Sequence, residues 1–228
     1  MTLPPGQKAV DGFPRFGTHF HRPPPTVPAD PVIEIGGVVE APFTFPVAGL
    51  STLARRQLTS DFHCVAGWSA IDLHWEGVEF KTFFGAVVEP ALASDTTVTH
   101  VVFEGLDDYR SIVLAEDALS DDVLLADRLA GQPLDADHGA PVRLVSPMQY
   151  GFISTKHLSR IEVHSHAPAE TYHPRPLIQI GLRIVKPHRR ARVWAEERHR
   201  YLPGAVVRPI YTRLIPTFRW LSARGSRP

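Results

Sequence analysis

The chain has 228 residues, of which 43% are hydrophobic, and this length supports one substantial core rather than two independent domains. A formal net charge of zero and a single cysteine exclude a strongly basic or acidic protein and an intramolecular disulfide framework. The N-terminal sequence carries no leader, twin-arginine or lipidation pattern, and no apolar run approaches the roughly 20 residues of a membrane span, so the expected location is the cytoplasm.

The first third of the chain is predicted to lead from an arm into a strand that ends at the cysteine. Residues 1–30 are rich in proline and glycine and predict an extended arm without regular structure. Residues 32–39 then predict a strand, residues 47–55 a short helix, and residues 58–63 a second strand, which ends at Cys64.

Cys64 is followed by a connection that Gly67, Asp72 and Gly77 punctuate and that carries Trp68 and Trp75. A lone cysteine usually behaves as a small buried apolar side chain, and the two tryptophans favour core packing. A cysteine at the end of a strand beside a glycine loop can nevertheless lie below the surface and face a cavity. That position suits a thiolate ligand of a metal.

The middle of the chain predicts short strands and few helices. A short helix is predicted at residues 78–88, strands at 97–104 and 111–114, a hairpin from 123–129 to Leu134 through Gly131, and strands at 142–145 and 158–163. Short strands with many turn signals indicate a mainly β, α+β fold.

The C-terminal extension differs from the rest of the chain in charge. Residues 183–228 contain twelve Lys or Arg and two Glu, a net charge of +10, so the first 182 residues carry −10. Residues 189–201 predict a helix that ends at Pro203 and Gly204. The extension is expected either to dock on a membrane surface or an electron-transfer subunit, or to lie back across the acidic body.

Three motifs carry a resemblance to a known family. They are His-Cys-Val-x-Gly-Trp-Ser at residues 63–69, Trp-x-Gly-Val-x-Phe at 75–80, and Gly-x-Pro-x-Arg-Leu-Val-x-Pro-x-x-Tyr-Gly-x-x-x-x-Lys at 139–156. Over residues 31–164 the chain resembles the molybdopterin-binding domain of the sulfite oxidase superfamily, and among its members the bacterial methionine sulfoxide reductase catalytic subunits. The resemblance implies a sulfite-oxidase-type fold with an arm (1–30), a single catalytic domain (31–166) and a basic extension (167–228).

The resemblance also implies a cofactor, molybdenum–molybdopterin without an attached nucleotide, and a set of contacts. Cys64 matches the family's molybdenum ligand. His138 stands where relatives usually have an asparagine, and Gly105 where they have a threonine. The cofactor contacts that the resemblance implies are Arg143, Ser154, Thr155, Lys156, His138, Gly105 and, from the arm, His19. Taken without the family, Arg143 and Lys156 are ordinary solvated charges and His19 is an incidental surface histidine.

The implied activity is oxygen-atom or electron transfer on a small oxo substrate such as a sulfoxide, an N-oxide or a sulfite-like anion. Sulfite oxidases follow the cysteine with an Asn-Arg-Arg-like run, whereas here Val65 to Ser69 follow, so the substrate pocket is expected to lack that cation. With no haem-binding sequence, electrons are expected to pass to or from a separate electron-transfer protein or haem subunit. No nucleic-acid partner is implied.

Two readings from other classes stay open. A protein that holds the cofactor without catalysis would contain molybdenum but turn over no sulfoxide, sulfite or N-oxide. A β-rich binding module with a buried, inert Cys64 would contain no metal at all.

Overall fold

The computed structural model describes residues 2–15, 23–169 and 186–224. The described chain forms two β-sheets and a few helices, which confirms the prediction of a mainly β, α+β fold. The strands are β1 Lys8–Ala9, β2 Val32–Gly37, β3 Phe43–Pro46, β4 Arg55–His63, β5 Trp68–Glu79, β6 His100–Gly105, β7 Arg110–Leu114, β8 Leu124–Leu129, β9 Gln132–Pro133, β10 Arg143–Val145 and β11 Leu158–His164. The α-helices are α1 Phe80–Phe83, α2 Ala115–Ala118 and α3 Gly204–Arg224.

Sheet A is organised around β5, the longest strand. On one side β5 pairs antiparallel with β4, and on the other it pairs with β1 at its start and with β8 at its end. Strand β8 continues the sheet to β10 and to the short β9. The prediction of a punctuated connection after Cys64 was therefore wrong, because residues 68–79 form one strand whose tryptophans, Trp68 and Trp75, are both buried.

Sheet B has the strand order β3-β2-β11-β6-β7, in which β2 and β11 run parallel and the other neighbours run antiparallel. Alternate side chains of its central strands point into the main core, as expected for a sheet with one buried face. These residues include Ile33, Ile35, Val101, Phe103, Ile161 and Val163. Sheet A adds side chains to the same core, so the two sheets pack face to face.

The opposite face of sheet A carries a second layer. Leu125 and Leu144 lie in the main core, whereas their neighbours Leu124 and Val145 pack in a separate cluster with Trp75. Because side chains alternate along a strand, these neighbours, and Arg143 with them, point away from the main core. This outer face thus carries Arg143 and the cluster of Trp75.

Local helix predictions succeeded only in part. The 47–55 helix appears as a 3-10 helix, Val47–Thr52, and the 78–88 helix begins at Phe80 and continues as a π-helical turn, Phe84–Val88. Among the described residues, no helix is both long and apolar enough to cross a bilayer.

The helix predicted at residues 189–201 does not form. Ala191 and Glu196 both have a φ of 54°, which an α-helix does not allow. Ala191 and Val193 are instead buried in the main core, and the Ala191 carbonyl accepts a hydrogen bond from the Tyr150 amide at 2.8 Å. Burial of these side chains outweighs the local helix propensity of the segment.

The terminal helix forms beyond the predicted stop. Helix α3 begins at Gly204 and contains Pro209 and Pro216, each of which removes one helical hydrogen bond. Val207 and Ile215, two turns apart, are buried and hold the helix against the domain. The helix therefore depends on tertiary packing more than on its own sequence.

Part of the basic extension lies back on the acidic body. Arg190 forms an ion pair with Glu116, and Arg192 pairs with Asp117 at 2.8 Å, both on α2. The expectation that the extension crosses the body therefore agrees with the positions of residues 186–200.

Candidate active site

Cys64 begins the tight turn that joins β4 to β5. Its amide donates to the Trp68 carbonyl at 2.9 Å, and its carbonyl accepts the Gly67 amide at 2.9 Å. Gly67 has a φ of +94°, a conformation that favours glycine. The turn therefore fixes the cysteine backbone, and the thiol is 6% exposed.

Burial controls the ionisation of this thiol. It raises the pKa of Cys64 to about 12, while the Ala66 amide, 3.5 Å from Sγ, and the nearby Arg198 act in the opposite direction. The thiol is consequently protonated at neutral pH. A bound metal ion would displace this proton, because a coordinating thiol is deprotonated by the charge of the metal.

Arg198 is the cation beside Cys64, and sequence reasoning missed it. Its guanidinium is fully buried, donates to the carbonyls of Val65 at 2.5 Å and Pro5 at 3.2 Å, and lies 4.9 Å from the centre of the Tyr150 ring. The run directly after the cysteine, Val65 to Ser69, contains no cation, and the expectation about the substrate pocket stays a prediction. Arg198 comes from the extension, 134 positions after the cysteine, so no local motif could have indicated it.

Arg143 lies on the outer face of sheet A and is also fully buried. Its guanidinium donates to the carbonyls of His138 at 2.9 Å, Ser154 at 3.2 Å and Leu144 at 3.3 Å. The rings of three aromatic side chains lie 5.2 to 5.7 Å from its guanidinium carbon: Phe13, Phe62 and Trp75. Burial lowers the pKa of Arg143 to about 9, since the described residues give it no carboxylate partner.

Lys156 lies close to Arg143 and is partly buried. Its Nζ donates to the Asp137 carbonyl at 2.6 Å. Burial and the charge of Arg143 lower the pKa of Lys156 to about 7, and the carboxylates of Asp137 and Asp107 only partly oppose this. Two adjacent cations that are bonded mainly to carbonyls form a site that an anion would stabilise.

His138 has both ring nitrogens engaged within the protein. Nδ1 is 2.8 Å from the Asp135 carboxylate, Nε2 is 2.8 Å from the Phe13 carbonyl, and the ring stacks on that of Phe13. Its carbonyl holds Arg143. In this arrangement His138 positions the arginine and the N-terminal segment.

Ser154 and Thr155 are buried, and their hydrogen bonds stabilise the loop between β10 and β11. Their amides donate to Gly151 and Ile153 carbonyls, the Ser154 hydroxyl accepts the Ser146 amide at 3.2 Å, and the Thr155 hydroxyl lies 2.8 Å from that of Ser111. The Ser154 carbonyl also holds Arg143. Direct contact of either residue with a cofactor stays a prediction.

Gly105 and His19 complete the predicted set. A Cβ at Gly105 would lie 2.3 Å from the Lys156 carbonyl oxygen, so the lack of a side chain at Gly105 lets the backbone of Lys156 approach. The Gly105 amide donates to the Tyr109 carbonyl at 2.9 Å. His19 lies outside the described residues.

Phe62 lies between the cysteine cluster and Arg143. It packs in the cluster of Cys64 and Trp68, and its ring also faces Arg143. The structure thus brings Arg143, Lys156 and His138 together directly and relates Cys64 to them through one aromatic side chain. A cleft of about 160 Å³ lies elsewhere, along β2 and β3.

The buried donors beside Arg143 match the anionic, acceptor-rich group that the resemblance implies. Trp75 Nε1 is buried and has no hydrogen-bond acceptor among the described residues, and the ring of Trp75 lies against the Arg143 guanidinium. A buried donor without an acceptor is costly, and a pterin phosphate ester supplies acceptors and negative charge. The residues present therefore fit such a group.

Comparison with known proteins agrees with this chemistry. The family model described as "Oxidoreductase molybdopterin binding domain" matches residues 21–172. The chain is 28% identical over 130 residues to an uncharacterized oxidoreductase, YuiH, of Bacillus subtilis, covering 57% of this chain and 63% of that protein. It is 31% identical over 157 residues to the protein-methionine-sulfoxide reductase catalytic subunit MsrP of Xanthomonas axonopodis, covering 62% of this chain and 47% of that protein.

A solved structure shares the fold. The sulfane dehydrogenase SoxCD of Paracoccus pantotrophus aligns with a TM-score of 0.52 and 22% identity, over 60% of this chain and 39% of that one. The chain thus spans between about half and 63% of the length of the curated relatives named here.

Proposed function

Because this chain belongs to the oxidoreductase molybdopterin binding domain family, we propose that it is a molybdenum–molybdopterin-dependent oxidoreductase acting on a small oxo substrate. The family match confirms the resemblance to the sulfite oxidase superfamily, and the shared fold confirms the predicted fold type. The observation that carries the proposal is the fully buried Arg143, which is held by carbonyls beside Lys156 and has no carboxylate partner among the described residues.

Cys64 is the proposed metal ligand. The turn from Cys64 to Gly67 holds its backbone in one conformation, and the surrounding apolar side chains exclude water from the sulfur. A thiolate is a soft donor and suits a metal that changes oxidation state. The bound cofactor supplies the redox chemistry, and the protein's part is to orient it and to control access.

Arg143 and Lys156 are the proposed anchors of the cofactor's phosphate. Three carbonyls and three aromatic rings set the orientation of the planar Arg143 guanidinium, and the compact ammonium group of Lys156 lies beside it. An anion next to Lys156 would raise its lowered pKa again and keep it charged at neutral pH. Trp75 Nε1 is a further donor on the same face.

The names of two similar proteins indicate the substrate class, and they differ in the direction of electron flow. One relative is named a methionine sulfoxide reductase subunit and one structural neighbour a sulfane dehydrogenase, a reductive and an oxidative reaction respectively. We therefore assign oxygen-atom or electron transfer on a sulfoxide, an N-oxide or a sulfite-like anion.

A separate electron-transfer protein is the proposed partner, with α3 as its docking element. Val206, Ile210 and Leu214 lie four residues apart on α3, and all three are exposed. Residues spaced by four share one face of a helix, so α3 presents an apolar stripe flanked by basic residues. Docking on a membrane surface is the alternative outcome.

Elemental analysis with electron paramagnetic resonance of the reduced protein tests the function. We expect one molybdenum per chain and a Mo(V) signal that is lost or altered in Cys64→Ser. A protein without molybdenum would be the binding module with an inert cysteine. Molybdenum without turnover in a viologen-coupled screen of sulfoxides, N-oxides and sulfite would indicate a cofactor carrier.

A further inference from the structure

The N-terminal segment holds the turn that carries Cys64, although it lies outside the matched family domain. The family model covers residues 21–172. The Gln7 side chain donates to the Cys64 carbonyl at 3.1 Å. The Lys8 amide donates to the Gly67 carbonyl at 2.9 Å, where β1 pairs with the start of β5. The two ends of the cysteine turn are therefore bonded to residues that the family pattern does not include.

Gln7 is buried and uses both polar atoms of its amide group. The residue is 8% exposed. Its Nε2 donates to Cys64, its Oε1 accepts the Ser69 hydroxyl at 3.1 Å, and Ser69 Oγ lies 2.7 Å from His63 Nδ1. A buried amide is costly unless it is hydrogen-bonded, so these bonds fix the side chain of Gln7 beside the cysteine.

The Cys64 carbonyl determines the direction of every hydrogen bond in this network. A carbonyl oxygen can only accept, so Gln7 turns its Nε2 toward Cys64 and its Oε1 toward Ser69. The Ser69 hydroxyl then donates to Gln7, and His63 donates to Ser69 through a protonated Nδ1. One orientation of each side chain satisfies all three bonds, so the network specifies a single arrangement around the cysteine.

This arrangement limits where the sulfur can point. The Cys64 carbonyl accepts the Gly67 amide at 2.9 Å as well as Gln7, and two donors fix the peptide plane that follows the cysteine. Because a side chain occupies one of three staggered rotamers on its backbone, a fixed backbone leaves few directions for Sγ. Groups that orient a metal ligand in this way typically change metal affinity or activity by roughly 10- to 100-fold when they are replaced.

We propose that Gln7 is a positioning residue for the metal ligand: its amide group holds the Cys64 carbonyl and so sets the direction of the sulfur. This inference rests on the proposed function for the metal that the sulfur binds. It makes the N-terminal segment part of the active site.

Two substitutions test the bonds of Gln7. Gln7→Glu keeps an acceptor for the Ser69 hydroxyl but lacks the donor for the Cys64 carbonyl. Gln7→Met has a similar length and lacks both groups. The full chain is used for each variant, and the melting temperature is recorded.

Gln149→Glu is the matched control. Gln149 is also buried, and its amide group also binds a serine hydroxyl and a backbone carbonyl, those of Ser146 at 2.8 Å and Arg190 at 2.6 Å. The control therefore loses the same kind of donor at a site that does not bond to the cysteine turn.

Alkylation of the cofactor-free protein by iodoacetamide is the first measurement. Cys64 is the only cysteine of the chain, so mass spectrometry follows its reaction alone. The thiol is buried, and its reaction requires the turn to open. Loss of the Gln7 donor predicts alkylation that is faster by roughly tenfold in both Gln7 variants and unchanged in Gln149→Glu.

The Mo(V) electron paramagnetic resonance spectrum of the reduced holoprotein is the second measurement. Its g values depend on the geometry of the sulfur ligand, which a loss of global stability alone does not change. We expect shifted g values in both Gln7 variants and the wild-type spectrum in Gln149→Glu. A purely structural role of Gln7 would lower the melting temperature and leave the spectrum unchanged.

The inference is overturned if the Gln7 variants keep either the wild-type alkylation rate or the wild-type spectrum, or if Gln149→Glu changes both equally. Gln7→Met decides the question if Gln7→Glu fails to fold. The alkylation measurement needs no metal. A protein without molybdenum whose Gln7 variants release the thiol would therefore refute the proposed function, and Gln7 would still be the residue that holds the cysteine turn.

Discussion

The Gly151 amide donates a 2.8 Å hydrogen bond to the His63 carbonyl, and this bond joins the loop after β10 to the residue before Cys64. Two of the three motifs that carry the family resemblance, residues 63–69 and 139–156, are thus in direct contact. Tyr150, the preceding residue, lies under Arg198. The loop therefore touches both the strand that delivers the thiol and the cation beside it.

Gly151→Ala should disturb the cysteine strand. A Cβ at this position would lie 2.0 Å from the Phe62 ring, which connects Cys64 and Arg143. We expect a loss of about 1–3 kcal/mol in the free energy of unfolding, measured with urea, and a lower molybdenum content. Gly85→Ala is the control, because its nearest new contact is the Glu89 side chain at 3.7 Å, and it should leave both quantities unchanged.

Gly105→Thr should destabilise the protein, although threonine is the residue that the family resemblance implies at this position. Its Cβ would lie 2.3 Å from the Lys156 carbonyl and 2.8 Å from the Asp107 carboxylate. Overpacking of this kind typically costs about 1–3 kcal/mol. A threonine variant with the melting temperature and molybdenum content of the wild type would show that the Lys156 loop can shift.

Arg143→Met should separate cofactor retention from stability. Methionine removes a buried charge that lacks a carboxylate, but it leaves three carbonyls without their donor, so the two effects on the unfolding free energy oppose each other. We expect the free energy of unfolding of the cofactor-free protein to change by less than about 2 kcal/mol. Molybdopterin content, measured by fluorescence of its oxidised form, should fall at least tenfold.

Arg160→Gln is the control for this variant. Arg160 is on β11 in sheet B, is partly exposed, and pairs with Glu162 at 2.8 Å. It should keep the wild-type molybdopterin content. Equal retention by the Arg143 and Arg160 variants would contradict the anchoring role.

Lys156 should make the stability of the cofactor-free protein depend on pH. The folded state releases this proton near pH 7, whereas the unfolded chain holds it to about pH 10.5. Between these values the unfolded state binds more protons, so the free energy of unfolding rises with pH by at most about 1.4 kcal/mol per unit. Below pH 7 both states are charged and the destabilisation is complete.

Urea titrations at pH 7, 8 and 9 measure this dependence as the difference between the wild type and Lys156→Met. The difference removes the contributions of other titrating groups. A difference that is flat across this range would mean that Lys156 remains charged in the fold.

Ile210→Glu should affect partner docking alone. Ile210 is 56% exposed on α3, so a charged side chain there costs little stability. We expect an unchanged melting temperature and a weaker interaction with an electron-transfer protein in a reconstituted reductase assay. Val207→Glu, at a buried position of the same helix, is the contrasting variant and should lower the melting temperature.

The central strands of sheet B could be predicted because the alternation of apolar side chains records burial directly, whereas β5 of sheet A was predicted as a connection. Ile33 and Ile35, or Val101 and Phe103, place every second side chain in the core, and this pattern is local. The 189–201 segment could not be predicted, since its conformation depends on contacts with Tyr150 and the core that are distant in sequence. Local propensity therefore gave the wrong answer there.

The candidate site divides in the same way. Cys64, Trp75, Arg143 and Lys156 lie within motifs, whereas Arg198 lies in none and becomes notable only because its Nε is buried without an acceptor among the described residues. An arginine among other arginines of a basic tail gives no signal of burial in the sequence. Its role depends on which carbonyls the folded chain places beside it.

The hydrogen bonds of Arg198 to Pro5 and Val65 join residues that are synthesised at very different times, so they form only after Arg198 has been translated. Pro5, the cysteine turn and the motif ending at Lys156 leave the ribosome well before Arg198 and Ile215. A nascent chain therefore exposes the sulfur of Cys64 until Arg198 and Ile215, which pack beside its turn, have been translated.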